Sequence, residues 1–466
     1  MMKHAANLNK KVDFSDGRVT QDIVRTALPM LAAQIISLLY SIVDRIYIGR
    51  IPGEGTTALG AVGLCFPVIM IVAAFTNMFG MGGAPLFAME LGRQDREKAG
   101  LIMNTAFRLL VITAVLITVS GLVLGGRLLL IFGASRSILP MSLSYLRIYL
   151  LGTLPLMVST GMNCYITAQG YATTGMMTVT AGAVANLLLD PVFIFLLGMG
   201  VRGAAVATVL SQCLSMAFVM HFLRSGRNEF PVSFSGLPLL SYALDIVSLG
   251  TAPFIMQITN SLVSVSCNQV LMNIGGALFV SVMTIISSVR SILDVPVLAI
   301  SEGTSPIISY NYGALKRAHV KKAVKVLMVF AFPYTFIVWL LIMGFPELFI
   351  RIFSSDPSLM AIASRGMRLY FSAFIFQSFQ YCGQTVFKAL GKRKHAIFFS
   401  LLRKAVLVVP LTYLLPCVFG LGTDGVFLAE PVSNVIGGLA CFITMVASFR
   451  RDPFGKSQEI GRHGRT

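Results

Sequence analysis

Residues with cation chemistry fall together in the stretch NLLLDPVFIF, which begins at Asn186. Asn186 and Asp190 are four residues apart and share one face of a helix. Pro191 has no N–H, so the carbonyl of Leu187 loses its helical donor beside them. In the next apolar segment Thr208 adds a hydroxyl within GAAVAT, a small-residue run from Gly203 that lets helices approach closely. A carboxylate, an amide oxygen, a loose carbonyl and a hydroxyl are hard donors of the kind a small cation such as sodium takes. The same carboxylate can instead carry a proton. Asp190 could also be a structural residue that braces a proline kink.

Two further apolar segments carry polar stripes. Gln34, Ser37, Ser41 and Asp44 stand at relative positions 0, 3, 7 and 10, and Gln257, Asn260, Ser264 and Asn268 at 0, 3, 7 and 11. Each set projects from one helix face, which suits either the lining of a cleft or helix-to-helix hydrogen bonding. Asp44 precedes Arg45, so it reads as a second coupling acid or as an interfacial ion pair. Asp294 and Glu302, in RSILDVPVLAISEGTSPIISYNYG from Arg290, lie two turns apart. They could bind a cationic substrate or a second proton, or pair with Arg290.

The elements that must position these residues cross a membrane. Fifty-six per cent of the chain is apolar, 12% is charged and mean hydropathy is +0.80, a balance unsuited to a soluble surface of 466 residues. Apolar segments of roughly 20 to 30 residues match spanning helices, not barrel strands. Twelve are predicted, at 26–48, 57–89, 101–124, 139–168, 175–198, 203–223, 246–273, 277–309, 323–345, 360–389, 396–419 and 425–449. The second, eighth and tenth exceed what a perpendicular crossing needs. Most of the 37 Lys and Arg fall on one side, including the run from Lys388 through Lys404 read as a loop. The net charge of +18 therefore reads as topology and contact with anionic lipid, not nucleic acid, and puts both termini in the cytoplasm. The seven cysteines lie in spans without a C-x-x-C pair and read as buried thiols.

The chain is written twice. A shift of 221 places Pro85 on Pro306, Gly92 on Gly313, Arg96 on Arg317, Tyr149 on Tyr370 and Gly170 on Gly391, and a shift of 222 lays GMGVRG from Gly198 over GLGTDG from Gly420. Six spans per half make the repeats parallel, two bundles around a central cleft suited to alternating access. The expected domains are an N-terminal cytoplasmic segment 1–25, an N-lobe 26–223, a linker 224–241, a C-lobe 242–449 and a basic cytoplasmic tail 450–466. Val408 and Thr412 fall under Asn186 and Asp190, so an acidic coupling site is expected in the first half alone.

VDRIYIGRI, NLLLDPVFIF and SEGTSPIISYNYG, set in this duplicated frame, resemble the multidrug and toxic compound extrusion (MATE) transporters, most of all their bacterial MepA-like branch. The resemblance covers nearly the whole chain. It implies an all-α integral membrane protein that exports lipophilic, often cationic drugs or metabolites in exchange for inward sodium or protons. It also implies cation binding by Asp44, Asn186, Asp190 and Thr208. The sequence departs from NorM-like members, which place acids in the seventh and tenth spans, by carrying Gln257, Asn260, Gln377 and Gln380 there, so a C-lobe sodium site of the NorM kind is not expected. The bacterial inner membrane, a monomer, no cofactor and no nucleic-acid partner are expected. A lipid-linked oligosaccharide flippase of the same superfamily is the alternative, although few basic residues lie mid-span. No ATP-binding or nucleophile pattern appears, so an enzyme is not expected.

Overall fold

A computed structural model describes residues 11–233, 236–353 and 357–450, and among these it is helical without strands. The basic tail and the first ten residues of the N-terminal segment lie outside the described residues. The first half holds α1 (Val19–Gly49), α2 (Gly55–Gly92), α3 (Arg96–Ile131), α4 (Leu139–Leu151), α5 (Thr153–Ala168), α6 (Ala172–Pro191) and α7 (Val201–Arg224). The second holds α8 (Leu240–Gly275), α9 (Ala277–Gly313), α10 (Arg317–Gly344), α11 (Pro346–Ile350), α12 (Pro357–Phe371), α13 (Phe374–Ala389), α14 (Arg393–Leu401), α15 (Val409–Cys417) and α16 (Gly422–Arg450). A π-turn, Val192–Leu196, continues α6, and another, Leu402–Val408, joins α14 to α15.

Among the described residues ten continuous helical segments are long and apolar enough to cross a membrane, and two bent pairs, each taken as one span, bring the number to twelve. The fourth and tenth spans, read from the sequence as single helices, are these pairs: α4 meets α5 at 50° and α12 meets α13 at 44°. Pro155, three residues past Gly152, cannot donate to the carbonyl of Leu151 and breaks the first. At the second break the Trp339 indole N–H takes up the carbonyl of Ser372 at 2.9 Å. The bend accounts for the excess length of the tenth span. α1 also starts earlier than expected, at Val19, so part of the leading segment is helical.

Each half has its own apolar core, around Phe87, Phe107 and Tyr165 in the first and Phe371, Phe374 and Phe427 in the second. The halves pack through α1 on α9 and α2 on α8. These crossings are backbone to backbone. A Cβ on Gly82 would stand 2.6 Å from the Gly250 Cα, and one on Gly303 would stand 2.7 Å from the Ala27 Cα. Gly82 and Gly303 are repeat partners, as are Ala27 and Gly250, so one contact is made twice with the lobes exchanged.

At the end of the molecule where α2 and α9 finish, the segment before α1 ties the lobes together. Val12 N–H donates to Gly170 of the first half at 3.0 Å, and Lys11 Nζ meets Glu229 of the linker at 2.8 Å. Phe14 is buried in the second half, edge-on to Tyr310, and Lys316 Nζ donates to the Ser15 carbonyl at 2.9 Å. The linker itself is stitched to α3: Asn104 donates to Pro231 O at 3.0 Å and accepts from Ser233 N, and Arg108 donates to Leu237 O at 2.8 Å.

Candidate functional site: a buried carboxylate pair

α1 packs along α6 and brings Asp44 to Asp190, the two carboxylates facing each other within hydrogen-bonding reach. Asn186 Nδ2 donates to Asp190 Oδ1 at 3.3 Å. Asp190 is fully buried and Asn186 nearly so. Three buried oxygens at this point, Asp44 Oδ1, Asn186 Oδ1 and Asp190 Oδ2, have no hydrogen-bond partner. Buried acceptors without donors are costly, and two facing carboxylates repel unless one positive charge sits between them. A shared proton or a small metal cation supplies that charge. The donors are all oxygen, which favours sodium over a transition metal.

Thr208 lies on α7, partly buried, with its hydroxyl donating to Ala204 O at 2.9 Å, so its lone pairs remain. The small-residue run beside it has the role its composition suggests. A Cβ on Gly203 would meet the Phe193 carbonyl at 2.5 Å, so the glycine lets α7 close on the π-turn that follows Asp190. Sequence and structure thus bring Asp44, Asn186 and Asp190 to one point, with Thr208 on the adjoining helix.

The residues assigned to the cleft divide. Gln34 Nε2 donates to Glu302 Oε2 at 2.8 Å, joining α1 to α9 across the lobes. Gln257 Nε2 lies 3.2 Å from Met70 Sδ, joining α8 to α2. Asn260 and Ser264 are exposed, while Ser37 and Ser41 are partly buried. Asp294 is engaged inside the second lobe by Arg290 at 3.3 Å and Gln377 at 3.0 Å, the pairing offered as an alternative by the sequence. Lys388 of α13 stands within electrostatic reach of Glu302. α9 also exposes Ser281, Thr284, Ser287 and Ser291 at helical spacing, a hydroxyl row absent from the sequence reading. Exposed polar rows on an apolar helix face water, not lipid.

The larger omission is a charge cluster in the second lobe. Glu430 accepts from Lys404 at 2.9 Å and from Arg403 at 3.3 Å, and pairs with Arg290 at 2.6 Å. Arg403 and Lys404, counted from the sequence among the loop cations, are buried in the π-turn between α14 and α15. Two signals pointed here: both basic residues fall inside the eleventh predicted span, and Glu430-Pro431 repeats the acid–proline pairing of Asp190-Pro191.

The chain is similar to known proteins in sequence and in fold. The MatE family profile matches twice, over residues 29–192 and 253–414, once per half. The chain is 23% identical to multidrug export protein MepA of Staphylococcus haemolyticus, over 92% of this chain and 94% of that one. It is 21% identical to the MepA of Staphylococcus aureus strain N315 with the same coverage. In fold it resembles a MOP superfamily transporter from Pyrococcus furiosus at TM-score 0.85 and 24% identity, covering 94% of this chain and 96% of that one. It also resembles a MATE structure in complex with MaL6 at TM-score 0.87 and 24% identity, covering 95% and 98%.

Proposed function

Because the chain belongs to the MatE family of multi-pass membrane transporters, we propose that it is a secondary active multidrug exporter coupled to sodium or proton entry at Asp44, Asn186 and Asp190. It is a transporter and not an enzyme. The observation that carries the coupling is the set of three buried oxygens without donors, which a cation completes. The relatives named as multidrug export proteins support the cargo class.

In this reading a cation arriving between Asp44 and Asp190 removes their repulsion and draws α1 onto α6, with Thr208 contributing its hydroxyl. α1 carries Pro29 between Ala27, at the lobe crossing, and Gln34, bonded to Glu302. A pull at Asp44 therefore bends the helix that also holds the lobes together. Substrate in the cleft favours the straight form, so cation and substrate weaken each other's binding reciprocally. Basic loops around the tied, glycine-packed end support reading that end as cytoplasmic, and in this reading the protein works as a monomer in the bacterial inner membrane with the tied end closed.

The test is dye export by reconstituted protein under an imposed sodium or proton gradient. Asp190→Asn and Asp44→Asn, at equal incorporation, are expected to abolish gradient-driven ethidium export. Export by Asp190→Asn at the unmodified rate would overturn the assignment.

A further inference from the structure

The second lobe repeats the geometry of the carboxylate pair with other residues. The offset of 223 that relates Ala27 to Gly250 carries Asp44 to Cys267, and the offset of 222 carries Asp190 to Thr412 and Thr208 to Glu430. The correspondence is physical, because Cys267 Sγ lies 3.7 Å from Thr412 Oγ1, the counterpart of the Asp44–Asp190 contact. Cys267 is within electrostatic reach of Glu430, Lys404 and Arg290.

The charges at the two equivalent places are opposite. The first lobe has two carboxylates, neither in an ion pair among the described residues, with Arg45 within electrostatic reach of Asp44. The second has three cations, Arg290, Arg403 and Lys404, around two carboxylates, Glu430 and Asp294. Lys404 Nζ touches both Glu430 oxygens, at 2.9 and 3.3 Å, as a bound monovalent cation would. Arg403 is held beside it by Asn434 Oδ1 at 2.6 Å. A buried ion pair survives only when each partner neutralises the other. Lys404, together with Arg290 at 2.6 Å and Arg403 at 3.3 Å, therefore neutralises Glu430, as an entering ion would neutralise Asp44 and Asp190.

We infer that the second lobe contains a monovalent-cation site at Glu430 whose permanent occupant is the protein's own Lys404 ammonium. The lobe is fixed in its cation-filled form and takes no free ion, so ion uptake in each cycle belongs to the first lobe alone. That last consequence rests on the proposed coupling; the occupied site does not.

The experiment removes the built-in occupant and offers a replacement. Full-length protein carrying Asp44→Asn and Asp190→Asn, which silences the first lobe, is compared with the same protein carrying Lys404→Ala in addition. Thermal unfolding is followed in ethylammonium or sodium against N-methylglucamine at constant ionic strength. The Lys404→Ala protein is expected to gain roughly 2 to 5 °C in Tm from ethylammonium. The parent should gain nothing, and Glu430→Gln added to Lys404→Ala should abolish the gain. An equal response from the parent, or none from the Lys404→Ala protein, overturns the inference. If Lys404→Ala does not fold, Lys404→Met replaces it with equilibrium binding of radioactive sodium as readout. One sodium per protein, lost with Glu430→Gln, supports the site, and no binding rejects it. No transport is measured, so a failed rescue leaves the exchange mechanism standing, and failed dye export leaves the site.

Discussion

Gly92 and Gly313, repeat partners 221 residues apart, are each pressed against the residue three positions before the other. A Cβ on Gly92 would stand 1.9 Å from the Tyr310 carbonyl oxygen, and one on Gly313 would stand 2.0 Å from that of Met89. α2 and α9 thus cross by a reciprocal contact, as two identical subunits do about a two-fold axis.

Leucine at either glycine would prevent this crossing, at a cost of about 1–3 kcal/mol or more because the neighbour is backbone. Gly92→Leu and Gly313→Leu are therefore expected to cut export by roughly tenfold or more, and to nearly the same extent. The check is export rate together with thiol labelling of Cys164, a half-buried thiol of α5 within electrostatic reach of Glu302 and Lys388 of the other lobe, the other cysteines replaced, by reagent applied from the tied end. Labelling should rise in both variants; a rise in only one would show that the crossing is not shared equally.

Asp44 and Asp190 should behave as one unit. Each single asparagine substitution is expected to lose nearly as much gradient-driven export as the double, because either removes the charge that the cation answers. Additive losses in a double-mutant cycle would mean two independent sites.

The Gln34–Glu302 bond fastens α1 to α9. Hydrogen bonds to charged groups contribute about 1.5–3 kcal/mol, so Gln34→Ala should raise Cys164 labelling from the tied end by about tenfold. Glu302→Gln, which keeps an acceptor, should have a smaller effect. Equal labelling in all three proteins would remove this bond from the closure.

The N-terminal tie should respond to acid but not to pH changes near neutrality. Lys11 donates to Glu229 and holds its carboxyl below the usual glutamate range. The folded value is depressed, so the stabilisation is present above the unfolded value and is lost as pH falls through the folded one. Limited proteolysis of the segment before α1 should be unchanged between about pH 6 and 8 and should quicken only below about pH 4. Glu229→Gln should be cleaved faster throughout and lose that acid step.

Much of this was legible from spacing alone. Span number, duplication and the shared face of Asn186 and Asp190 follow from periodicity and offset. The meeting of Asp44 with Asp190 is a contact across 146 residues, and no local pattern shows it. From sequence Arg403 and Lys404 read as loop residues, because charge in an apolar segment ordinarily marks its end. Their burial is tolerable only beside Glu430, a partner 26 residues from Lys404. The break between α12 and α13 at Ser372 has no proline to announce it. The hydroxyl row on α9 was hidden because serine and threonine in a span serve helix contacts as often as water.

The two π-turns have a further consequence. A π-turn is one residue too many wound into a helix, in effect a dislocation, and it can glide along the axis by exchanging hydrogen bonds one at a time. Each residue it passes rotates by about 100° while the helix keeps its length. Asp190 lies two residues before the first π-turn, and Arg403 and Lys404 lie within the second. Both charged centres therefore sit where a one-residue change of register would re-aim a side chain while the rest of the helix stays packed.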